Sequence, residues 1–209
     1  MCIRDRYNVG KKSKQSSKLG TKKSEPQQMG MKSNDLQKIL AKSYEKNPSD
    51  YGDYKVDKSL SGQRAQVYTN DVTGKVIVAH RGTAGMHDMI TDAKFGFGNT
   101  NNDRFDHAKK IQREAEAKYG KDNIITVGHS LGGLITNKVS DGKQITYNKP
   151  TMFNSTNKNE LAIKTSNDPF SLNNNRENSR KIVIDNGFNL NPFSNHSTDN
   201  IGKLNNEFL

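Results

Sequence analysis

The stretch Ile124-Ile125-Thr126-Val127-Gly128-His129-Ser130-Leu131-Gly132-Gly133 constrains the fold more than any other part of this 209-residue chain. Four residues of strand character run into Gly-His-Ser-Leu-Gly, and Leu134-Ile135-Thr136-Asn137-Lys138-Val139 continue with helical spacing. A strand that turns sharply into a helix at a serine is the setting of a nucleophile elbow. Glycines two before and two after the serine let the two backbones approach closely. The bland alternative is a Gly-rich turn whose serine is an N-cap. The elbow reading therefore has to find its partners elsewhere in the chain.

The surrounding pattern supplies a sheet for it. Asn34-Asp35 predicts the cap of a helix reaching Tyr44, with Leu36, Ile39 and Leu40 on one face. Residues 45–64 read as loop. Residues 65–69 and 75–80 flank Asn70-Asp71-Val72-Thr73-Gly74 as a hairpin, and Val76-Ile77-Val78-Ala79 is a buried strand leading into His80-Arg81-Gly82-Thr83. Phe105, Ala108, Ile111, Ala115 and Tyr119 recur at helical spacing, and Gly120 ends that helix. Residues 144–147, 160–164 and 181–184 are three further short strands. Strands alternating with helices predict an α/β sandwich with a mainly parallel sheet.

Charge separates this body from a tail. The net charge is +11, and residues 1–35 hold nine Lys/Arg against Asp5, Glu25 and Asp35, or +6 of that total. Residues 1–30 are polar and nearly free of aliphatic side chains, so they read as a disordered basic tail, with 31–209 as one folded domain. Residues 1–7 resemble a translated sequencing-adapter stretch and carry no structural weight. The basic run 11–23 (Lys11, Lys12, Lys14, Lys18, Lys22, Lys23) suits an anionic membrane surface by simple electrostatics. It lacks interleaved aromatics to stack bases, so no specific nucleic-acid partner is expected. Apolar residues are only 31% of the chain and never form a run long enough to span a membrane. No apolar segment follows the N-terminal charges as in a secretory signal, and Cys2 is the only cysteine. The expected setting is intracellular, without disulfides and without a cysteine-based metal site.

A serine hydroxyl needs a base, a group that orients the base, and donors for the developing oxyanion. Histidines stand at 80, 87, 107, 129 and 196, and only His196 follows the serine, in a loop late in the chain. In sheets of this kind the order along the chain is serine, acid, histidine. Asp168, in Asn167-Asp168-Pro169 directly after the 160–164 strand, lies where catalytic groups of parallel sheets gather. Asp185, after Val183-Ile184, meets that condition nearly as well and ranks second. Both also fit ordinary Asx turns. One oxyanion donor would be the Leu131 N–H at the helix start, and Thr83 after Gly82 would offer a second.

Ala79-His80-Arg81-Gly82-Thr83, Asp88-Met89-Ile90-Thr91-Asp92, Gly128-His129-Ser130-Leu131-Gly132-Gly133, Asn167-Asp168-Pro169 and His196 together resemble the class 3 (fungal-type) lipases, over residues 65–200. The resemblance implies an α/β-hydrolase fold in reduced form, a mainly parallel central sheet flanked by helices. It implies Ser130 as nucleophile, Asp168 as acid, His196 as base, and Thr83 with Leu131 as the oxyanion hole. It also implies a lid at 84–90, with Met86, Met89 and Ile90 apolar. No cofactor or metal is implied, and the substrate would be a lipid or other ester. The chain departs from the family at His80, where an aromatic or aliphatic residue is usual, in the short span from serine to histidine, and in having no tryptophan. The expected function is hydrolysis of carboxylic esters, of acylglycerols or phospholipids, through an acyl-enzyme on Ser130. The alternatives are an inactive hydrolase scaffold that binds lipid or protein, a nucleic-acid binder with a coincidental motif, and thioester or peptide cleavage on the same scaffold.

Overall fold

The computed structural model describes residues 28–83, 103–150, 157–171, 180–187 and 189–209. The tail up to residue 27 and the lid segment 84–90 lie outside the described residues. Seven strands form one sheet in sequence order: β1 (Tyr54–Val56), β2 (Ala65–Asn70), β3 (Lys75–His80), β4 (Ile124–His129), β5 (Lys143–Tyr147), β6 (Glu160–Thr165) and β7 (Arg180–Ile184). The first three pair antiparallel, and β3 to β7 run parallel. Among the described residues four α-helices accompany them: α1 (Ser33–Lys42), α2 (Asp103–Tyr119), α3 (Leu131–Val139) and the short α4 (Pro192–His196).

Strand period two sorts the core into two layers. Val76 and Val78 face α2, packing with Ile111 and Ala115. Ile77 and Ala79 face the other way, toward Leu36, Ile39 and Leu40 of α1. Sequential parallel strands with right-handed crossovers put α2 and α3 on one face, where Phe105 and Ala108 meet Leu131, Leu134 and Ile135. The opposite face would then be bare. It is closed by α1 together with Met29, Met31, Ile201 and Leu209. Backbone bonds fasten this cover: Met29 N–H to the Leu209 carbonyl, Leu209 N–H to Met31 and Ser33 N–H to Glu207, each 2.8 Å.

The structure differs from the sequence expectation at three places here. Met29 and Gly30, assigned above to the tail, belong to the cover, and the Met29 side chain is buried. The first helix starts at Ser33 with no side-chain cap, so Asn34 and Asp35 lie inside its first turn, where the Asp35 charge opposes the helix dipole favourably. The segment read as loop contains β1, whose Tyr54, Lys55 and Val56 pair with Asn70, Thr69 and Tyr68. Three residues between Asp53 and Asp57 are too few to show a period.

Candidate active site

The carbonyl ends of β4, β5 and β6 all open on one edge of the sheet, and the candidate residues gather there. Ser130 sits between β4 and α3 at φ +56°, ψ −128°, a strained conformation for a residue with a side chain, costing about 1–3 kcal/mol. Its N–H donates to the Tyr147 carbonyl (2.9 Å), and its own carbonyl accepts from Gly133 N–H at 2.9 Å. The turn is tight because its glycines leave no alternative. A Cβ on Gly128 would run into the Gly132 backbone, and one on Gly132 into the His80 carbonyl.

Asp168 follows β6 and is fully buried. It accepts hydrogen bonds from the Ser171 hydroxyl (2.5 Å), the Phe170 N–H (3.3 Å) and His196 Nδ1 at 3.0 Å. A carboxylate only accepts, so Nδ1 carries the proton and Nε2 of the neutral ring holds the lone pair. The His196 ring lies between two others, His129 at 4.7 Å and Phe170 at 5.1 Å between centroids. Its Nε2 is buried and makes no hydrogen bond among the described residues, so the Ser130–His196 bond of a completed triad is not formed in this state. Asp185, the second-ranked acid, is exposed and instead accepts from the Ser166 hydroxyl and the Gly187 N–H.

His196, expected in a loop, ends α4, which Asn191 caps by accepting from the Phe193 and Ser194 N–H groups. The last carbonyls of so short a helix have no helical donor. Side chains from the strand ends replace it. Asn148 donates to the Asn195 carbonyl (3.2 Å), His129 Nε2 to that of His196 (2.8 Å), and the Tyr147 hydroxyl to that of Ser197 (2.9 Å). The turn that carries His196 is therefore docked on β4 and β5 through polar contacts.

The Arg81–Thr83 segment passes beside the elbow. A Cβ on Gly82 would come within 2.7 Å of the His129 carbonyl, so only glycine fits. Arg104 Nη2, from α2, donates to the carbonyls of Arg81 (2.7 Å) and Gly82 (2.9 Å). Thr83 is half-buried at the last described position before residue 84, and Leu131 opens the first turn of α3. His129 is held neutral: burial, with the His196 ring next to it, brings its pKa down to about 3. Sequence reasoning missed the hydrogen-bonding roles of Tyr44, Arg104, Tyr147 and Asn148, whose partners are distant in the chain. Among the described residues no cluster of His, Cys, Asp or Glu could hold a metal, and no helix is long and apolar enough to cross a membrane.

A mainly parallel sheet flanked by helices, with a serine at a strained strand-to-helix corner and a carboxylate-bound histidine at the same edge, is the architecture of the α/β-hydrolase fold. Within that class the chain belongs to the Tle-like phospholipase domain family, whose model matches residues 21–180. That membership makes it a lipid ester hydrolase by family. Similar solved structures include a mutant form of MDLA from Penicillium cyclopium, at 18% identity over 76% of this chain and 80% of that one, with a TM-score of 0.49. The Lip2 lipase from Yarrowia lipolytica is 13% identical over 78% and 82%, at 0.45. The Rhizomucor miehei lipase propeptide complex is 14% identical over 66% and 61%, at 0.46. No curated protein matches the sequence.

Proposed function

We propose that the protein is a serine hydrolase that cleaves carboxylic esters of acylglycerols or phospholipids through an acyl-enzyme on Ser130. His196 Nε2 takes the Ser130 proton as the hydroxyl oxygen attacks the ester carbonyl. The N–H groups of Leu131 and Thr83 stabilise the tetrahedral oxyanion. The protonated imidazole, its other nitrogen bonded to Asp168, then gives its proton to the departing alcohol. Water activated by the same nitrogen releases the carboxylic acid and restores the serine.

The observation that carries this reading is the buried 3.0 Å bond between His196 Nδ1 and Asp168, at the sheet edge where Ser130 occupies its strained corner. Fluorophosphonate labelling tests it. Label should enter wild-type protein at Ser130, and Ser130→Ala should abolish both labelling and hydrolysis of a p-nitrophenyl ester. A panel of acyl chains offered as monomers and micelles then separates esterase from interfacial lipase. His196 Nε2 makes no hydrogen bond among the described residues, which leaves a second reading, a non-catalytic scaffold that binds lipid or protein. A folded wild-type protein that takes no label would establish that one instead.

A further inference from the structure

The residue before the nucleophile has no part in the mechanism above, yet both of its ring nitrogens are engaged. His129 Nε2 lies 2.8 Å from the His196 carbonyl oxygen, and Nδ1 lies 2.7 Å from the Tyr44 hydroxyl. A carbonyl can only accept, so Nε2 bears the proton and Nδ1 accepts from Tyr44. The phenol oxygen of Tyr44 in turn packs against Gly82, so close that a Cβ there would overlap it. Arg81 places its guanidinium 5.8 Å from the Tyr44 ring centre.

We infer that Tyr44 and His129 are positioning residues which hold the base and the oxyanion segment in one fixed relation, through a hydrogen-bonded chain that runs from the Tyr44 hydroxyl, packed against Gly82, to the His196 carbonyl. The inference rests on the serine-hydrolase reading above. Three observations lead to it. Each end of the chain meets backbone belonging to a group the reaction needs, Gly82 beside Thr83 in packing contact at one end and the His196 carbonyl in a hydrogen bond at the other. The chain enforces one tautomer, since reversing the His129 proton would set Nε2 lone pair against carbonyl oxygen. An apolar side chain could fill the same space, but it would leave the His196 carbonyl and the Tyr44 hydroxyl buried without partners. A change at either end is thereby felt at the other, although Tyr44 and His196 are 152 positions apart in the chain.

The test uses the whole protein and three variants: Tyr44→Phe, His129→Phe and His129→Gln. Tyr44→Phe keeps the ring and loses the hydroxyl, and His129→Gln keeps a donor near the Nε2 position. Labelling by a fluorophosphonate and turnover of p-nitrophenyl butyrate are expected to fall about tenfold in Tyr44→Phe and further in His129→Phe, with KM within about twofold. His129→Gln is expected to recover most of the loss. Nitrogen-15 NMR of wild-type protein should show His129 as the neutral Nε2–H tautomer from pH 5 to 9, with a changed Nδ1 signal in Tyr44→Phe. Folded Tyr44→Phe that labels at the wild-type rate overturns the inference, as does an Nδ1–H tautomer. If His129→Phe does not fold, Tyr44→Phe decides alone. Wild-type protein that folds, shows the expected tautomer and takes no label refutes the serine-hydrolase reading, and the positioning role with it.

Discussion

Lys149 Nζ and Glu160 Oε1 meet at 2.6 Å in the interior, their side chains 2% and 0% exposed. The pair lies under the start of α3, where a Cβ on Gly133 would come within 3.2 Å of the Lys149 Cβ. Glu160 also accepts from the Thr146 hydroxyl (2.6 Å) and from Asn137 Nδ2 (3.1 Å), so its charge is compensated on both oxygens. Removing one partner leaves the other ion stranded. Lys149→Met should destabilise the fold by about 3–5 kcal/mol, seen as a melting temperature lower by on the order of 10 °C. Combining it with Glu160→Gln, which keeps an acceptor for Thr146, should recover most of that. A single variant that melts with wild type would show the pair to be dispensable.

Acid should loosen the fold through two other buried groups. Burial lowers the pKa of His80 to about 4, helped by the nearby Arg104 charge, and that of His129 to about 3. Unfolded histidine titrates near 6.5, so between these values the unfolded chain binds protons that the folded one refuses. Stability from this source is full above about pH 6.5 and declines as pH falls, by up to about 1.4 kcal/mol per pH unit for each ring. Urea midpoints at pH 7, 6 and 5 measure it. His80→Leu should flatten the profile by about one proton, and a slope parallel to wild type would count against His80 as a source.

The two candidate acids separate cleanly by substitution. Asp168→Asn takes away the carboxylate that fixes the His196 tautomer and should lower kcat by roughly three to four orders of magnitude. Asp185→Asn touches only a surface turn and should stay near wild type. The reverse ranking in p-nitrophenyl ester assays would remove Asp168 from the mechanism.

Gly132→Ala should damage the site out of proportion to its size. The new methyl would meet the His80 carbonyl oxygen, with Arg81 carbon at 2.9 Å and Gly82 nitrogen at 3.0 Å, all of it backbone. Helix α3 would have to lift from β3, shifting Ser130 against the Arg81–Thr83 segment. Displacements near 1 Å can cost about a hundredfold in rate. Fluorophosphonate labelling at unchanged circular dichroism would register this, and undiminished labelling would mean the corner has slack.

Much of this was legible because the relevant signals are local. Val76 to Ala79 declared a strand buried on both faces by an unbroken apolar run, the 105–119 pattern declared α2, and Gly128, Ser130 and Gly132 declared the corner. The place of Asp168 just after a parallel strand was legible too. What could not be read was contact across long separations. Tyr44 looked like the far end of a helix and His129 like a filler within the motif, and nothing local says that they touch. Arg104, Tyr147 and Asn148 were equally silent, since their value lies in carbonyls they reach only after folding. Met29 misled for the opposite reason, a packed residue embedded in tail-like composition.

The stretch that delivers His196 continues, without a break, into the Thr198–Leu204 turn and the 205–209 segment that close the back of the sheet with α1. Armament and roofing thus share one length of chain. Heat that peels the roof would carry the imidazole away while the parallel strands still hold together, so loss of turnover should run ahead of loss of secondary structure.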